Sequence, residues 1–282
     1  MNPQSIKDRL KNIAKSNGTI LQEQLTAYAL ERTIFRIGKS RYCENFSLKG
    51  GILLYALYDK NYPRITSDID LRADSISSDE NEMHRVFSEI FSINFDDGIE
   101  YDFSTLKTAP ITKLDDYQGI NLSIAALLGN IRIPVSIDIG FGDKIVPCKR
   151  KMKFPVLLDM EPPEVFAYSV ESMIAEKFEA SASLGYANTR YKDFYDLYML
   201  LNDKMPNAEL LTQAISATFS FRRTRLDDIV IFEDDFALDA TRISRWRAFC
   251  KKKKALATIS FKDAIDKIKS VLKPIVDEMP AK

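Results

Sequence analysis

The sequence contains 282 residues, of which 45% are hydrophobic and 28% are charged. This composition is typical of a folded protein with a hydrophobic core, and the length allows two modest domains. The 40 basic and 40 acidic residues cancel, so net charge alone indicates neither a nucleic-acid nor a membrane partner. The single histidine, His84, argues against a Ser-His-Asp relay, a Cys-His dyad and a histidine-rich zinc site.

Three cysteines, Cys43, Cys148 and Cys250, lie far apart without a CxxC motif, which predicts free thiols in a reducing compartment. No stretch approaches the roughly 18 apolar residues of a membrane-spanning helix. The N-terminal segment lacks the apolar core of a signal peptide. We therefore expect a cytoplasmic protein with no membrane partner.

Apolar spacing along the chain predicts an α/β (α+β) protein with two parts. Helical spacing covers the first forty residues, and the segment 1–160 is expected to form a mixed-sheet core. A Pro-Pro pair near residue 162 marks the boundary, and 161–282 is expected to form an α-helical domain. The predicted strands are 45–49, 65–73, 119–127 and 131–141, and the predicted helices are 78–91, 164–183, 190–202, 208–220, 240–252 and 260–276.

Two acids, Asp68 and Asp70, stand two residues apart in a predicted strand. Because strand side chains alternate, both carboxylates share one face. Like charges this close repel each other unless a cation lies between them, as in a Mg²⁺ or Mn²⁺ site. Asp138 falls alone on the polar face of another strand and is our candidate for the third acid, with Asp102 and Asp143 left open.

Upstream of these acids, Lys49-Gly50-Gly51 stands between a predicted strand and a helix. Glycines there let the backbone approach a phosphate, and the helix N-terminus offers free N–H groups. The ordered set predicts a phosphate-binding turn followed by metal ligands. The expected chemistry is in-line attack on the α-phosphorus of a nucleoside triphosphate with release of pyrophosphate. Asp138 would ligate a second metal ion or accept the proton.

In the helical part, Lys177 falls on an apolar stripe, where an unpaired ammonium group would be costly. Two interpretations stay open: Lys177 reaches solvent or pairs with a nearby Glu, or it points at the triphosphate. A second segment, 190–197, places Asp193 and Asp196 beside an apolar face. As acids in the first turn of a helix, these two also have an ordinary structural explanation.

Four segments together carry a resemblance to a known family. They are Lys49-Gly50-Gly51, Arg64-Ile65-Thr66-Ser67-Asp68-Ile69-Asp70, Ala175-Glu176-Lys177-Phe178-Glu179-Ala180 and Lys192-Asp193-Phe194-Tyr195-Asp196-Leu197. In this order they resemble the AbiEii/AbiGii toxin family of nucleotidyltransferases. The resemblance implies a polymerase-β-like nucleotidyltransferase core before a helical domain. It also implies a toxin held in check by a cognate antitoxin protein, with relatives that add nucleotides to the 3′ end of tRNA.

Carried over motif by motif, the resemblance implies that Asp68 and Asp70 bind metal, that Lys177 contacts nucleotide and that Asp193 is essential. Arg64, the first residue of its motif, is assigned to nucleotide binding with Lys49, Gly50 and Gly51. One position departs from the pattern: Ile52 stands where many family members have a hydroxyl residue. Phosphate contact there would rest on backbone N–H groups alone.

A basic stretch near the C-terminus is the candidate RNA-binding surface, with Trp246 either stacking on a base or packing in the core. Its assigned residues are Arg242, Arg245, Lys251, Lys252, Lys253 and Lys254.

The preferred function is NTP-dependent transfer of a nucleoside monophosphate to RNA, with the tRNA 3′ end as acceptor and a block of translation as the result. The alternatives are nucleotidylation or phosphorylation of a protein side chain, such as one of the antitoxin, and a non-catalytic nucleotide-binding module. Ile52 favours the last alternative.

Overall fold

The computed structural model describes residues 2–63, 66–111, 119–142, 145–227, 229–251 and 259–279. The chain begins with helices and strands that alternate irregularly, and it ends with helices. The first group comprises α1 (Pro3–Asn17), α2 (Leu21–Lys39), β1 (Phe46–Lys49), α3 (Gly50–Leu57), β2 (Ile69–Ala73), α4 (Glu80–Ser92), β3 (Ile99–Pro110), β4 (Gly119–Leu128), β5 (Ile131–Phe141), β6 (Arg150–Lys153) and β7 (Glu164–Ala167). The second comprises α5 (Val170–Leu184), α6 (Tyr191–Asp203), α7 (Ala208–Arg222), α8 (Ala240–Lys251) and α9 (Phe261–Asp277).

Within the described chain, all the strands join one mixed sheet in the order β3-β4-β5-β2-β1-β7-β6. Strand β2 pairs with β5 in parallel and with β1 in the antiparallel direction, and β1 pairs with β7 in parallel. The remaining pairs, β3–β4, β4–β5 and β6–β7, are antiparallel. The predicted α/β class with a mixed sheet is confirmed.

One face of the sheet is apolar and packs against α2 and α4. Leu48, Leu71 and Ile139 stand opposite one another on β1, β2 and β5 and are almost fully buried. The ring of Phe46 lies 5.3 Å from that of Phe87 on α4, which fixes this helix on the same face. The opposite face carries the residues that alternate with these, and it is the more polar one.

The predicted hairpin between 119–127 and 131–141 is present as β4 and β5. Gly129 at the two-residue turn has φ +57°, a conformation that favours glycine. The predicted helix 164–183 is wrong at its start, because Glu164–Ala167 forms strand β7 between β1 and β6. Ser169 then caps α5 by accepting a hydrogen bond from the N–H of Ser172 at 3.1 Å.

The chain forms two compact units. The first takes in the described residues of Met1–Gly142 and Arg150–Ala167 and contains the whole sheet. The second takes in those of Asp143–Lys149 and Tyr168–Lys282 and is helical. In the second unit, the Ser172 hydroxyl donates to the carbonyl oxygen of Val146 at 2.8 Å, which ties the short segment before β6 to α5.

Aromatic rings fill the core of the helical unit. The ring of Trp246 on α8 lies 5.4 Å from Phe261 on α9, and its Nε1 donates to the carbonyl oxygen of Ile259 at 2.8 Å. Of the two roles left open for Trp246, the structure therefore has the packed one. None of the described helices is both long enough and apolar enough to span a membrane.

A buried acid on α2 gives the first unit a pH-dependent stability. Burial raises the pKa of Glu31 to about 7, although Arg32 and the N–H of Leu157 oppose the shift. Leu157 donates to Glu31 Oε2 at 2.6 Å, and the Glu31–Arg32 ion pair spans 2.8 Å. Because the folded pKa exceeds the unfolded value, stability is fully present below the unfolded pKa and is lost as pH rises through 7.

We predict that Glu31→Gln removes this pH dependence. The free energy of unfolding of the variant, relative to wild type, should increase by about 3 kcal/mol between pH 4.5 and pH 8, because the glutamine cannot ionise. Urea denaturation at both pH values measures the difference. A constant difference across this range would contradict the assignment.

Candidate active site

Three carboxylates come together on the polar face of the sheet. Asp70 on β2 stands directly opposite Asp138 on the parallel strand β5, and Asp68 lies just before β2 begins. One oxygen atom from each carboxylate lies within 4.8 Å of the others, and all three residues are half-buried. Predicted as a strand from residue 65, β2 begins only at Ile69 in the described chain. Asp68 nevertheless joins the group.

Neighbouring side chains orient two of these acids. The Thr66 hydroxyl donates to Asp68 Oδ1 at 2.9 Å, and Asn121 Nδ2 donates to Asp138 Oδ1 at 2.7 Å. Each bond fixes the rotation of a carboxylate and engages one of its oxygens. Asn121 was not among the residues predicted from the sequence, although its position opposite Asp138 follows from the hairpin register. A polar residue paired with the candidate acid was the available signal.

The donor set fits a divalent cation of the Mg²⁺ or Mn²⁺ type. The donors are hard carboxylate oxygens that converge on one point, and neither histidine nor cysteine belongs to the group. Three adjacent negative charges at this spacing repel one another, and a bound cation would relieve this repulsion. Asp102 belongs to another part of the sheet, where its Oδ2 pairs with Arg132 at 3.0 Å. Asp143 lies outside the described residues.

The glycine turn is joined directly to this cluster. Lys49, the last residue of β1, stands opposite Asp70, and the N–H of Gly51 in the first turn of α3 donates to Asp70 Oδ2 at 3.1 Å. Gly50 has φ +61°, and a Cβ atom added there would lie 1.9 Å from the same Asp70 oxygen. Only glycine therefore fits between the turn and the acid. Ile52 on α3 is 2% exposed, so its side chain is buried in the protein core.

A second charged cluster lies in the helical unit. Lys177 Nζ on α5 contacts Asp193 Oδ1 at 3.1 Å and Asp196 Oδ2 at 2.7 Å, both on α6. The two aspartate side chains are at most 2% exposed, and Arg190 Nε lies 2.6 Å from Asp193 Oδ2. The acids observed beside Lys177 are thus Asp193 and Asp196, where the sequence had suggested a nearby Glu. The acids hold its ammonium group in one position.

Electrostatics favour the charged form of Asp193. Burial alone would raise its pKa, but the charges of Lys177 and Arg190 outweigh burial and lower the pKa below its ordinary value. A carboxylate with a lowered folded pKa stabilises the fold above its unfolded pKa, and this contribution is lost as pH falls through the folded value. The cluster therefore stabilises the contact between α5 and α6 at neutral pH.

The remaining predicted residues have different locations. Arg64 and the run Lys252, Lys253 and Lys254 lie outside the described residues. Arg245 and Lys251 are exposed on α8. Arg242 requires a correction: it is buried, its Nη2 donates to the carbonyl oxygen of Tyr186 at 2.6 Å, and its guanidinium carbon lies 4.3 Å from the ring centre of Phe236. It packs inside the helical unit and is not available to RNA.

A mixed sheet that presents three acids beside a glycine turn at a helix N-terminus is the arrangement of a nucleotidyltransferase. Residues 32–267 match the model of the family described as nucleotidyl transferase AbiEii toxin, type IV toxin–antitoxin system. The chain belongs to this family and is a nucleotidyltransferase. The resemblance noted in the sequence is thereby confirmed.

The fold of this chain is similar to that of a solved structure, and a second structure has a lower similarity. MenT4, a nucleotidyltransferase toxin from Mycobacterium tuberculosis, is 13% identical with a TM-score of 0.59, covering 98% of this chain and 90% of that chain. JHP933 from Helicobacter pylori is 16% identical with a TM-score of 0.48, covering 89% of this chain and 90% of that chain. No curated protein matches the sequence.

We predict that Gly50→Ala displaces Asp70 and lowers nucleotidyl transfer and Mn²⁺ affinity at least 100-fold, because the new Cβ overlaps the carboxylate. Gly18→Ala is the matched control: Gly18 has φ +64°, but nothing lies within 4 Å of an added Cβ. It should cost only the left-handed strain of about 1–2 kcal/mol in stability and leave transfer intact. Calorimetric titration measures the Mn²⁺ affinity of the two variants, and a transfer assay measures their activity. Equal activity of Gly50→Ala and Gly18→Ala would refute the steric argument.

We predict that Lys177→Met lowers the free energy of unfolding by about 3–5 kcal/mol at pH 7, because it removes a cation that contacts two buried carboxylates, although Arg190 still contacts Asp193. This decrease in the free energy of unfolding should become smaller below about pH 3.9. Asp193 first becomes protonated in the unfolded state there, and at still lower pH also in the folded state. Lys262→Met, which removes an exposed Lys–Asp pair with Asp266 on α9, is the control and should change little. Urea denaturation at pH 7 and pH 3 tests the prediction, and a pH-independent loss would contradict it.

Proposed function

We propose that this nucleotidyltransferase transfers a nucleoside monophosphate from an NTP to the 3′ end of RNA, with tRNA as the acceptor, and so blocks translation. The observation that carries the proposal is the hydrogen bond from the Gly51 N–H to Asp70, within the cluster of three acids. It joins a turn suited to polyphosphate to ligands suited to a divalent cation. The RNA acceptor rests on the family resemblance, and the exposed Arg245 and Lys251 on α8 are consistent with it.

In the proposed in-line transfer, different residues bind the phosphates and the metal ion. The turn of Lys49, Gly50 and Gly51 would bind the β- and γ-phosphates through the partial positive charge at the N-terminus of α3, while the Gly51 N–H holds Asp70. The side chain of Arg64 would also bind these phosphates. Asp68, Asp70 and Asp138 would hold Mg²⁺ or Mn²⁺. When bound, such a cation polarises the triphosphate and lowers the pKa of the attacking hydroxyl.

The acceptor 3′-hydroxyl then gives up its proton, to Asp138 in this proposal, and attacks the α-phosphorus while the bond to the bridging oxygen breaks, and pyrophosphate leaves on the opposite side. Thr66 and Asn121 keep the carboxylates oriented during this step. In this proposal Lys177 contacts the nucleotide, and Asp193 is essential because it holds Lys177 in place. A cognate antitoxin protein would keep the activity in check.

The test incubates the purified protein with each labelled NTP, Mg²⁺ or Mn²⁺ and total RNA. We expect label in small RNA with one NTP, and a loss of at least 100-fold in Asp68→Ala, Asp70→Ala and Asp138→Asn. Asp102→Asn is the matched control on the same sheet and should retain transfer. Label in protein would instead support nucleotidylation or phosphorylation of a side chain. The absence of label from both would support the non-catalytic interaction module.

A further inference from the structure

The edge strand β6 concentrates positive charge on the unit that holds the three acids. Arg150, Lys151 and Lys153 supply three of its four residues, and all three are exposed. In the described sheet β6 is the last strand and pairs only with β7. This segment was not among those predicted from the sequence to bind a partner, because the neutral total charge of the chain conceals it.

The strand register assigns two of these cations to the same face as the acids. Lys151 stands opposite Phe166 on β7, Phe166 opposite Ser47 on β1, and Ser47 opposite Arg72 on β2. Arg72 follows Asp70 by two residues, so side-chain alternation places this whole row on the polar face. Lys153, two residues beyond Lys151, shares that face. The side chain of Arg150 belongs to the opposite face of the sheet.

The distance between β6 and the acids is set by the sheet itself. Three interstrand spacings separate β6 from β2, or about 14 Å at roughly 4.8 Å each. The register also offsets Lys151 and Lys153 from Asp70 by two and four residues along the strands, at roughly 3.3 Å per residue, so the two lysines lie about 16 and 20 Å from Asp70. One strand of a duplex advances about 3.4 Å per nucleotide, and with the same rise for a stacked single strand these distances span roughly five to six nucleotides. Half-buried Arg72 lies along the way, on the same face. A polyanion whose 3′ end reaches Asp70 could therefore meet the lysines with its upstream phosphates.

Local contacts leave these lysines available to a polyanion. Lys153 pairs with Glu164 at 3.7 Å, but the two side chains are 71% and 65% exposed, and such exposed pairs are weak. Lys151 Nζ lies 5.4 Å from the ring centre of Phe166 on the neighbouring strand. Its ammonium group thus leans inward over the polar face, in the direction of the acids, while remaining exposed.

We propose that Lys151 and Lys153 on β6 bind the phosphate backbone of the RNA acceptor, about five to six nucleotides upstream of the reacting 3′ end. This inference rests on the proposed function and extends it to a substrate-binding surface. Lysines also protect edge strands against aggregation. That role requires charge at the edge but no dependence of transfer on acceptor length, so acceptor length separates the two explanations.

The experiment measures kcat/KM for transfer to RNA oligonucleotides of two and of ten nucleotides that share one 3′ sequence. Lys151→Glu/Lys153→Glu should lower kcat/KM at least tenfold for the ten-nucleotide acceptor and leave the dinucleotide unchanged. In Lys151→Gln/Lys153→Gln, the log–log salt dependence with the long acceptor should flatten by about 1.4, the value for two lost phosphate contacts. Lys11→Glu/Lys15→Glu, the same charge change on exposed positions of α1, is the control and should match wild type.

The outcomes separate this inference from the proposed function. Unchanged kcat/KM with the long acceptor, or an equal loss with both acceptors, overturns the binding surface while transfer to RNA stands. If the variants transfer nucleotide normally but no longer bind the antitoxin, strand β6 binds a protein partner, and the proposed RNA-binding surface is also overturned. If wild type labels neither RNA, both proposals fall. A thermal-melting comparison with wild type shows whether each variant is folded. If Lys151→Glu/Lys153→Glu does not fold, Lys151→Gln/Lys153→Gln tests the proposed binding surface.

Discussion

The site depends on one constraint, the coupling of Asp70 to the turn that precedes α3. The turn and the acid are neighbours because Lys49 and Asp70 are cross-strand partners, and they touch because Gly50 has no side chain. The hydrogen bond from the Gly51 N–H then fixes the orientation of the Asp70 carboxylate. A shift of one residue in the β1–β2 register would move Asp70 to the apolar face and separate the two. The register of an antiparallel pair thus defines the geometry of the candidate site.

Much of the first unit could be predicted from the sequence, because its signals are local. Alternation in 131–141 and the Gly129-Asn130 turn predict β4 and β5, and Asp138 on the polar face follows from the same pattern. Strand β7 could not be predicted in this way. Glu164–Ala167 is four residues long, and its strand conformation depends on β1, more than a hundred residues earlier. A short segment before a helix resembles the first turn of that helix until its long-range partner is known.

The charged residues show the same limit. The apolar stripe around Lys177 correctly raised the question of a buried ammonium group, but only the packing of α5 against α6 identifies Asp193 and Asp196 as its partners. Arg242 illustrates the opposite error. Its neighbours in sequence are basic and suggest a nucleic-acid surface, yet its own position on α8 faces the aromatic rings of the helical unit. Charge along a sequence indicates a surface only when the helix face is also known.

The late position of β7 has a consequence for the order in which the protein is made. During translation, β1, β2 and β5 leave the ribosome before β7, so the three acids can assemble while one side of β1 still lacks its neighbour. The exposed backbone of β1 would then be a target for unwanted pairing in the nascent chain until residue 167 has emerged. The pairing of β7 with β1 is therefore a late event of biosynthesis. It takes place when the first helices of the second unit begin to leave the ribosome.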